Sequence, residues 1–197
     1  MVVGGGFIGL EMAENLHRRG IMVTVVEKAH QLMAPLDYDM AAFIHRHLKT
    51  KKVEFYLGDG LQSFERKGKY TLVKLQSGRS IKADMVILAM GVKPETSLAK
   101  KAGLEMGEWG GIRVNKHLQT SHPDIYAIGD AIEVVDLVNG KPTLIPLAGP
   151  ANKQGRIAAN HIAGIEDSYN ATQGTAIVKI FDITAAATGN NEKLLKS

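Results

Sequence analysis

The sequence predicts an α/β fold, a parallel sheet interrupted by an antiparallel meander, and three observations carry the prediction. The chain opens with an apolar pair, Val2-Val3, then a glycine turn, Gly4-Gly5-Gly6-Phe7-Ile8-Gly9, then a helical run. A β-branched stretch at 21–26 follows and closes on an acid, Glu27. Further on, Lys67-Gly68-Lys69 and Ser77-Gly78-Arg79 bracket an alternating segment at 70–75. Strand, helix and strand in succession imply a crossover and parallel pairing. Short glycine turns around alternating residues imply antiparallel hairpins. The sum is a Rossmann-like parallel sheet with a meander.

The first helix is marked by Ile8, Met12 and Leu16, which recur at helical spacing. It ends at Arg18-Arg19-Gly20, cations and then a glycine, as a helix terminus favours. Strand, glycine turn and helix are the context in which G-x-G-x-x-G binds a dinucleotide. Gly4 permits the tight turn, Gly6 lets the backbone approach a pyrophosphate, and Gly9 lets the helix pack closely on the strand. Glu27, about 20 residues on, stands where an acid accepts hydrogen bonds from the adenosine ribose. A carboxylate there repels a 2′-phosphate, so NADH is expected over NADPH, with Lys28 and His30 softening the preference.

After Glu27, Pro35 breaks the chain and Asp37 or Asp39 is available to cap a second helix. Met40, Phe43, Ile44, His47 and Leu48 are its expected buried stripe. His45 and His47 are expected on the surface, since residues two apart on a helix do not share a ligand. Residues 53–56 form a third strand, giving βαβαβ. The meander spans 61–81. Residues 84–89 are then expected as a buried strand returning to the parallel sheet, followed by the loop Met90-Gly91-Val92-Lys93-Pro94. Ligands bind at such carboxyl ends, and Gly91 would let the backbone pass close to the nicotinamide half. A helix is expected over 95–102.

A second unit begins near Gly103, with short strands expected at 110–114 and 117–120. An apolar strand then ends at Gly129-Asp130, where the carboxylate is placed either to accept from a polyol or to cap the next segment. Asn139-Gly140 signals a hairpin between 134–138 and 143–145. Residues 146–152 open a helix running to about Ala163, with Pro150 in its first turn.

Composition sets limits. The chain has 197 residues, 45% apolar and 22% charged, a globular balance that fits one large or two small domains. No apolar run approaches the roughly 20 residues of a membrane span. There is no cysteine, which excludes a disulfide, a thiolate metal site and a cysteine nucleophile from these residues. The net charge is +4 and the pI about 9.2, but the cations are dispersed. Lys49, Lys51 and Lys52 form the densest run, at a helix end where cations suit the dipole, whereas a nucleic-acid patch would want aromatic or arginine companions nearby. Neither nucleic acid nor membrane is expected as a partner, and the nucleotide fold without a signal peptide points to the cytoplasm. Only Val2 and Val3 follow Met1 before the glycines, fewer residues than a normal strand has, so Met1 is expected to lie inside a longer natural polypeptide.

In these motifs the chain resembles the pyridine nucleotide-disulfide oxidoreductases, flavoproteins with an FAD domain, an inserted NAD(P) domain and a C-terminal interface domain. The matching pieces are 4–11, Glu27, 90–94, 120–131 and 146–156, in the family's order. Residues 146–156 and 174–193 are most similar to the coenzyme A-disulfide reductase, NADH oxidase and persulfide reductase branch. The resemblance implies that Gly4, Gly6, Phe7, Ile8, Gly9, Glu11, Glu27, Lys28 and Gly91 bind NAD, with Glu11 near nicotinamide and flavin. It implies that Gly129, Asp130, Ala148 and Ala151 bind FAD, Asp130 at the ribityl chain and the helix opening at Ala148 toward the flavin pyrimidine. The domains implied are 1–94 for NAD(H), 95–166 for the C-terminal segment of the FAD domain, and 167–197 for the start of the interface domain, with a homodimer when full length. The implied reaction passes hydride from NAD(P)H to FAD and on to a small-molecule disulfide, persulfide or oxygen. The redox cysteine is absent, so this chain alone is expected to be inactive. Two alternatives remain. A small dehydrogenase would need an acid/base pair that does not stand out. A non-catalytic NAD(H)-binding module, or a partner completing a flavin site with another chain, would lack flavin absorbance unless FAD is added.

Overall fold

In the computed structural model, residues 1–196 are described; Ser197, the last residue of the expected interface segment, lies outside them. The chain divides into two compact units, one made of 1–91 with 177–187 and 191–196, the other of 92–176 with 188–190.

The first unit is built on a parallel sheet ordered β3-β2-β1-β7. Its strands are β1 (Val2–Val3), β2 (Thr24–Glu27), β3 (Glu54–Leu57) and β7 (Ile87–Leu88), with helices α1 (Phe7–Arg18) and α2 (Tyr38–Thr50) making the crossovers. Val2 pairs with Val25 on one side and Ile87 on the other, so β1 is central although two residues long. The meander is β4 (Leu61–Lys67), β5 (Tyr70–Leu75) and β6 (Ser80–Ala83), antiparallel as expected. Asp59 ties its base together, accepting from the Ser77 amide at 2.9 Å and the Ser77 hydroxyl at 2.6 Å.

Several expectations about faces are corrected. On α1 the buried residues are Gly9, Leu10, Ala13 and Glu14, while Ile8 is exposed. On α2 the buried stripe is Ala41, Ile44, His45 and Leu48, and Met40 and Phe43 point to solvent. Met12 and Leu16 pack partly buried against the core, while the α2 stripe is rotated by about one position, with the small Ala41 on the inner face. Bulk alone is a poor guide to the inner face there. His45 is therefore buried rather than on the surface. The second strand starts at Thr24, and Ile21 and Met22 are exposed. The returning strand β7 is shorter than 84–89, and Met85 and Leu88 are exposed on this sheet edge.

Two further strands, β10 (Ala176–Ile180) and β11 (Ile183–Ala187), form a hairpin that packs on the first unit's core. Val178, Ile180 and Phe181 are buried with Leu10, Ile44 and Leu48, each full burial contributing about 1.5–3 kcal/mol. Phe181 takes a positive φ at the hairpin tip. Its amide donates to Glu14 Oε2 at 2.7 Å, and Glu14 is also paired with Arg18 at 2.7 Å.

The second unit contains α3 (Ser97–Lys101), β8 (Val134–Val135) paired antiparallel with β9 (Pro142–Thr143), and α4 (Ala148–Ile162). The strands expected at 110–114 and 117–120 are reduced to isolated bridges, Ile112 to Met106 and Ile132, and Gln119 to Tyr126. The apolar strand expected before Asp130 is likewise one bridge followed by a 3-10 turn, Gly129–Ala131. Glycines and prolines break this stretch into turns, which apolar content alone does not reveal. Ile112, Leu118, Ile132 and Ile157 form its core. The last element is α5 (Glu192–Leu195), part of the first unit. No helix among the described residues is long and apolar enough to cross a membrane.

Candidate dinucleotide site

The first unit brings Gly4, Gly6, Gly9 and Glu27 together at the carboxyl ends of β1 and β2. Each glycine of the turn meets a different constraint. Gly4 has φ +111°, and a Cβ there would overlap the Ala89 carbonyl at the end of β7. A Cβ on Gly9 would overlap the Gly4 carbonyl, so α1 lies directly on the turn. At Gly6 a Cβ would meet nothing within 4 Å. Two glycines are thus required by protein packing, and the middle one faces open space.

Gly6 is also the N-cap of α1, with no side-chain cap and no acid in the first turn. The first backbone bond back to it comes from Leu10 at 3.0 Å. α1 itself therefore supplies neither a capping side chain nor an acid to the amides of its first turn, the condition that favours an anion there. Phe7 is partly buried against the core, whereas Ile8 and Glu11 are exposed on α1.

Glu27 is held in place by the protein itself. Its Oε2 accepts from the Gly5 amide at 2.6 Å and its Oε1 from the Ala29 amide at 2.8 Å. A carboxylate offers about four lone-pair positions, so hydrogen-bonding capacity remains on each oxygen. The carboxylate thus braces the glycine turn while presenting negative charge at the strand end. Lys28 is exposed beside it, its stem close to Gly60. Gly91 is exposed with φ +96° and a Cβ there would meet nothing within 4 Å. It follows β7 two residues after Ala89, whose carbonyl packs on Gly4.

Behind the turn, Met33 donates its amide to the Gly5 carbonyl at 2.8 Å and Leu32 packs on Gly5. Leu32 in turn donates to His45 Nε2 at 3.0 Å. His45 must be neutral at Nε2 to accept this bond. Burial, with Lys49 nearby, pushes its pKa below the ordinary 6.5. These supports escaped the sequence reading. His45 is legible only once Ala41, Ile44 and Leu48 are taken as the inner face.

In the second unit Gly129 has φ +72° and packs on Ala151, a Cβ there lying 3.7 Å from Ala151 Cβ. Its amide donates to Gln154 Oε1 at 2.7 Å, and Gln154 is 1% exposed. Gln154 was not predicted; it lies one turn from Ala151 and one from Ile157, which is the signal that would have found it. Asp130 is exposed on the same 3-10 turn. Ala148 begins α4, whose N-cap, Leu147, offers no side-chain bond and whose first turn has no acid. The four residues expected at the flavin thus share one corner of this unit. By contrast α2 opens on Asp37 and Asp39. Among the described residues no group of three or more histidines and acids could hold a metal.

The sequence pattern described as pyridine nucleotide-disulphide oxidoreductase matches residues 1–163. An NADH oxidase of Methanocaldococcus jannaschii is 42% identical over 189 residues, 95% of this chain and 42% of that protein. Among solved structures, reduced CoADR-RHD of Bacillus anthracis superimposes with a TM-score of 0.95 at 57% identity, over 99% of this chain and 35% of that one. An NAD-dependent persulfide reductase from A. fulgidus gives 0.95 at 40% identity, over 99% and 36%. The chain therefore spans under half the length of each of these proteins.

Proposed function

Since the chain belongs to the pyridine nucleotide-disulphide oxidoreductase family, we propose that its first unit binds NADH across the Gly4–Gly9 turn and that its second supplies part of an FAD site. The observation that carries this reading is the pairing of a Cβ-free, open Gly6 with an uncapped α1, beside a carboxylate that is fixed at the end of β2 by the Gly5 amide. The pyrophosphate lies over Gly4, Gly6, Phe7, Ile8 and Gly9, where the first-turn amides donate to it. Glu27 accepts from the adenosine ribose hydroxyls, and its charge disfavours the 2′-phosphate of NADPH. Lys28 borders the adenosine end, and Glu11 and Gly91 border the nicotinamide end.

In the second unit Asp130 accepts from the ribityl hydroxyls, and Gly129, locked by Gln154, lets the chain turn beside them. Ala148 and Ala151 place the uncapped start of α4 at the flavin ring, where the helix dipole stabilises negative charge on it. When bound, nicotinamide supplies a hydride and flavin takes it up. The full-length protein would pass the electrons to a small-molecule disulfide, persulfide or oxygen, as a cytoplasmic homodimer divided at 1–94, 95–166 and 167–197. This chain holds no cysteine, so it offers no thiolate to an acceptor.

Calorimetric titration with NADH and NADPH tests the reading, together with visible absorbance on adding FAD. Saturable NADH binding at least about tenfold tighter than NADPH is expected, from one charge-assisted hydrogen bond gained or lost. NADH-dependent disulfide reduction by this chain is not expected. No heat at millimolar NADH would remove the nucleotide assignment, and steady reduction of a disulfide would remove the division of labour.

A further inference from the structure

The segment after β11 does more than extend the fold, because it grips the loop that backs the glycine turn. The Lys193 ammonium donates to the Leu36 carbonyl at 2.6 Å, the Ala34 carbonyl at 2.8 Å and Gln31 Oε1 at 3.2 Å. Three donors meet three acceptors, all from residues 31–36. Asn191 Nδ2 donates to the Pro35 carbonyl at 2.9 Å, and the Glu192 amide to Asp37 Oδ2 at 3.1 Å. Three successive carbonyls, of Ala34, Pro35 and Leu36, are thus satisfied by side chains more than 150 residues away in the chain.

The same loop touches the nucleotide turn on its other side. Met33, held at φ +52°, donates to the Gly5 carbonyl, and Leu32 closes on the Gly5 Cα. With Glu27 on the Gly5 amide, both polar groups of Gly5 are fixed. The orientation of the next peptide, which aims the Gly6 amide and starts α1, is then set by this loop. A left-handed methionine keeps that conformation only while its surroundings hold it.

We propose that Lys193, aided by Asn191, is a positioning residue of the nucleotide site, acting through Leu32 and Met33 on the Gly4–Gly6 turn. The proposal rests on the NADH reading above. It identifies the C-terminal segment as the part of the chain through which a change beyond the nucleotide domain would reach nucleotide affinity. Lys193 touches no nucleotide itself.

The test compares the chain with its Lys193→Met variant, which keeps the aliphatic stem and removes the three donors. Lys51→Met is the control, since it removes the surface pair with Asp182 on the same C-terminal hairpin but leaves 31–37 alone. Two readouts are needed, NADH affinity by calorimetry and hydrogen exchange of single amides by NMR. Expected in Lys193→Met are an NADH Kd raised about tenfold and Met33 amide exchange faster by a similar factor. The Phe181 amide should keep its protection, and Lys51→Met should match the parent in both. If the parent binds NADH and Lys193→Met binds it equally well, the proposal is overturned while the nucleotide assignment stands. If the parent binds no NADH, that assignment fails. The Met33 amide then decides for Lys193 alone: unchanged exchange sinks it, faster exchange keeps it as the brace of the turn. Should Lys193→Met not fold, Asn191→Ala, which loses the Pro35 contact and the N-cap bond from the Leu194 amide that starts the helix carrying Lys193, is read in the same way.

Discussion

Replacing Gly6 by alanine separates what the glycine turn does for the fold from what it does for a ligand. Gly6 sits at φ −82° and ψ −166°, an extended conformation open to any residue, and the added Cβ meets no protein atom within 4 Å. The fold cost is therefore small. A glycine-to-alanine change at a compatible site stabilises by about 0.4–1 kcal/mol through the unfolded chain. Alanine is a poorer N-cap than glycine by an amount of similar order. The two nearly cancel, so Tm should stay within a few degrees of the parent. Binding responds differently. The methyl group occupies the space in which a pyrophosphate must approach the backbone. Displacing the anion from two amides forfeits about 1.5–3 kcal/mol for each charge-assisted bond. That sum is roughly a hundredfold or more in Kd. Gly9→Ala is the opposite case. Its Cβ overlaps the Gly4 carbonyl, so α1 must shift, and overpacking of this kind costs about 1–3 kcal/mol before any ligand is added. The assay is NADH titration by calorimetry alongside thermal unfolding by circular dichroism. If Gly6→Ala binds NADH within about threefold of the parent at unchanged Tm, less than the loss of a single such bond, the anion is not at this turn and the reasoning fails.

Glu27→Ala should weaken NADH by about tenfold or more and abolish the preference over NADPH, because it removes both the ribose acceptor and the brace on Gly5; a preference that survives in parallel titrations would refute this role. Glu14→Ala should lower stability by about 1–3 kcal/mol, because it strands the buried Phe181 amide, and urea unfolding should show the loss in the same buffer that leaves NADH affinity unchanged. His45 should make stability fall on acidification. Burial, with Lys49, lowers its folded pKa below the ordinary 6.5, so as pH drops through that value the unfolded chain takes up a proton that the folded chain refuses. Stability present above that pH is lost below it, down to the folded pKa, and His45→Gln should flatten this part of the urea-midpoint profile relative to the parent.

What was legible in the sequence was whatever depended on local chemistry. The turn from Gly4 to Gly9, the meander turns at Gly68 and Gly78 and the hairpin at Gly140 all place glycine at positive φ or against a neighbouring backbone, and glycine spacing records that directly. The acid at Glu27 was readable because a strand end offers one position for it. The inner faces of α1 and α2 were not, because Phe43 and Met40 outweigh Ala41 in any hydrophobic count, yet Ala41 is what lets α2 approach the sheet. Nor were Met33 or Lys193 readable. Each acts through a partner remote in sequence or through a conformation its own residue type disfavours, and neither leaves a local pattern. The irregular stretch from Leu104 to Ala131 was overread as strands because its apolar residues face a small core without pairing in ladders.

The three long helices differ at their starts in a way that packing does not require. α2 opens on Asp37 and Asp39, so protein charge already opposes its dipole. α1 and α4 open on Gly6 and Leu147, with glycine or alanine nearby and no carboxylate in either first turn. A serine, threonine or aspartate cap would stabilise α4 by about 1 kcal/mol over Leu147, and α1 by roughly a few tenths of a kcal/mol over the glycine already there. Leaving both ends bare forgoes that stabilisation where the chain also turns through a positive-φ glycine, at Gly4 and at Gly129 beside Ala151. A helix end that carries no counter-charge of its own is suited to one that arrives with a ligand. A carboxylate introduced as Gly6→Asp should raise the stability of the free chain while excluding NADH, and a variant that gained stability yet still bound the nucleotide would show that the bare end of α1 serves some other purpose.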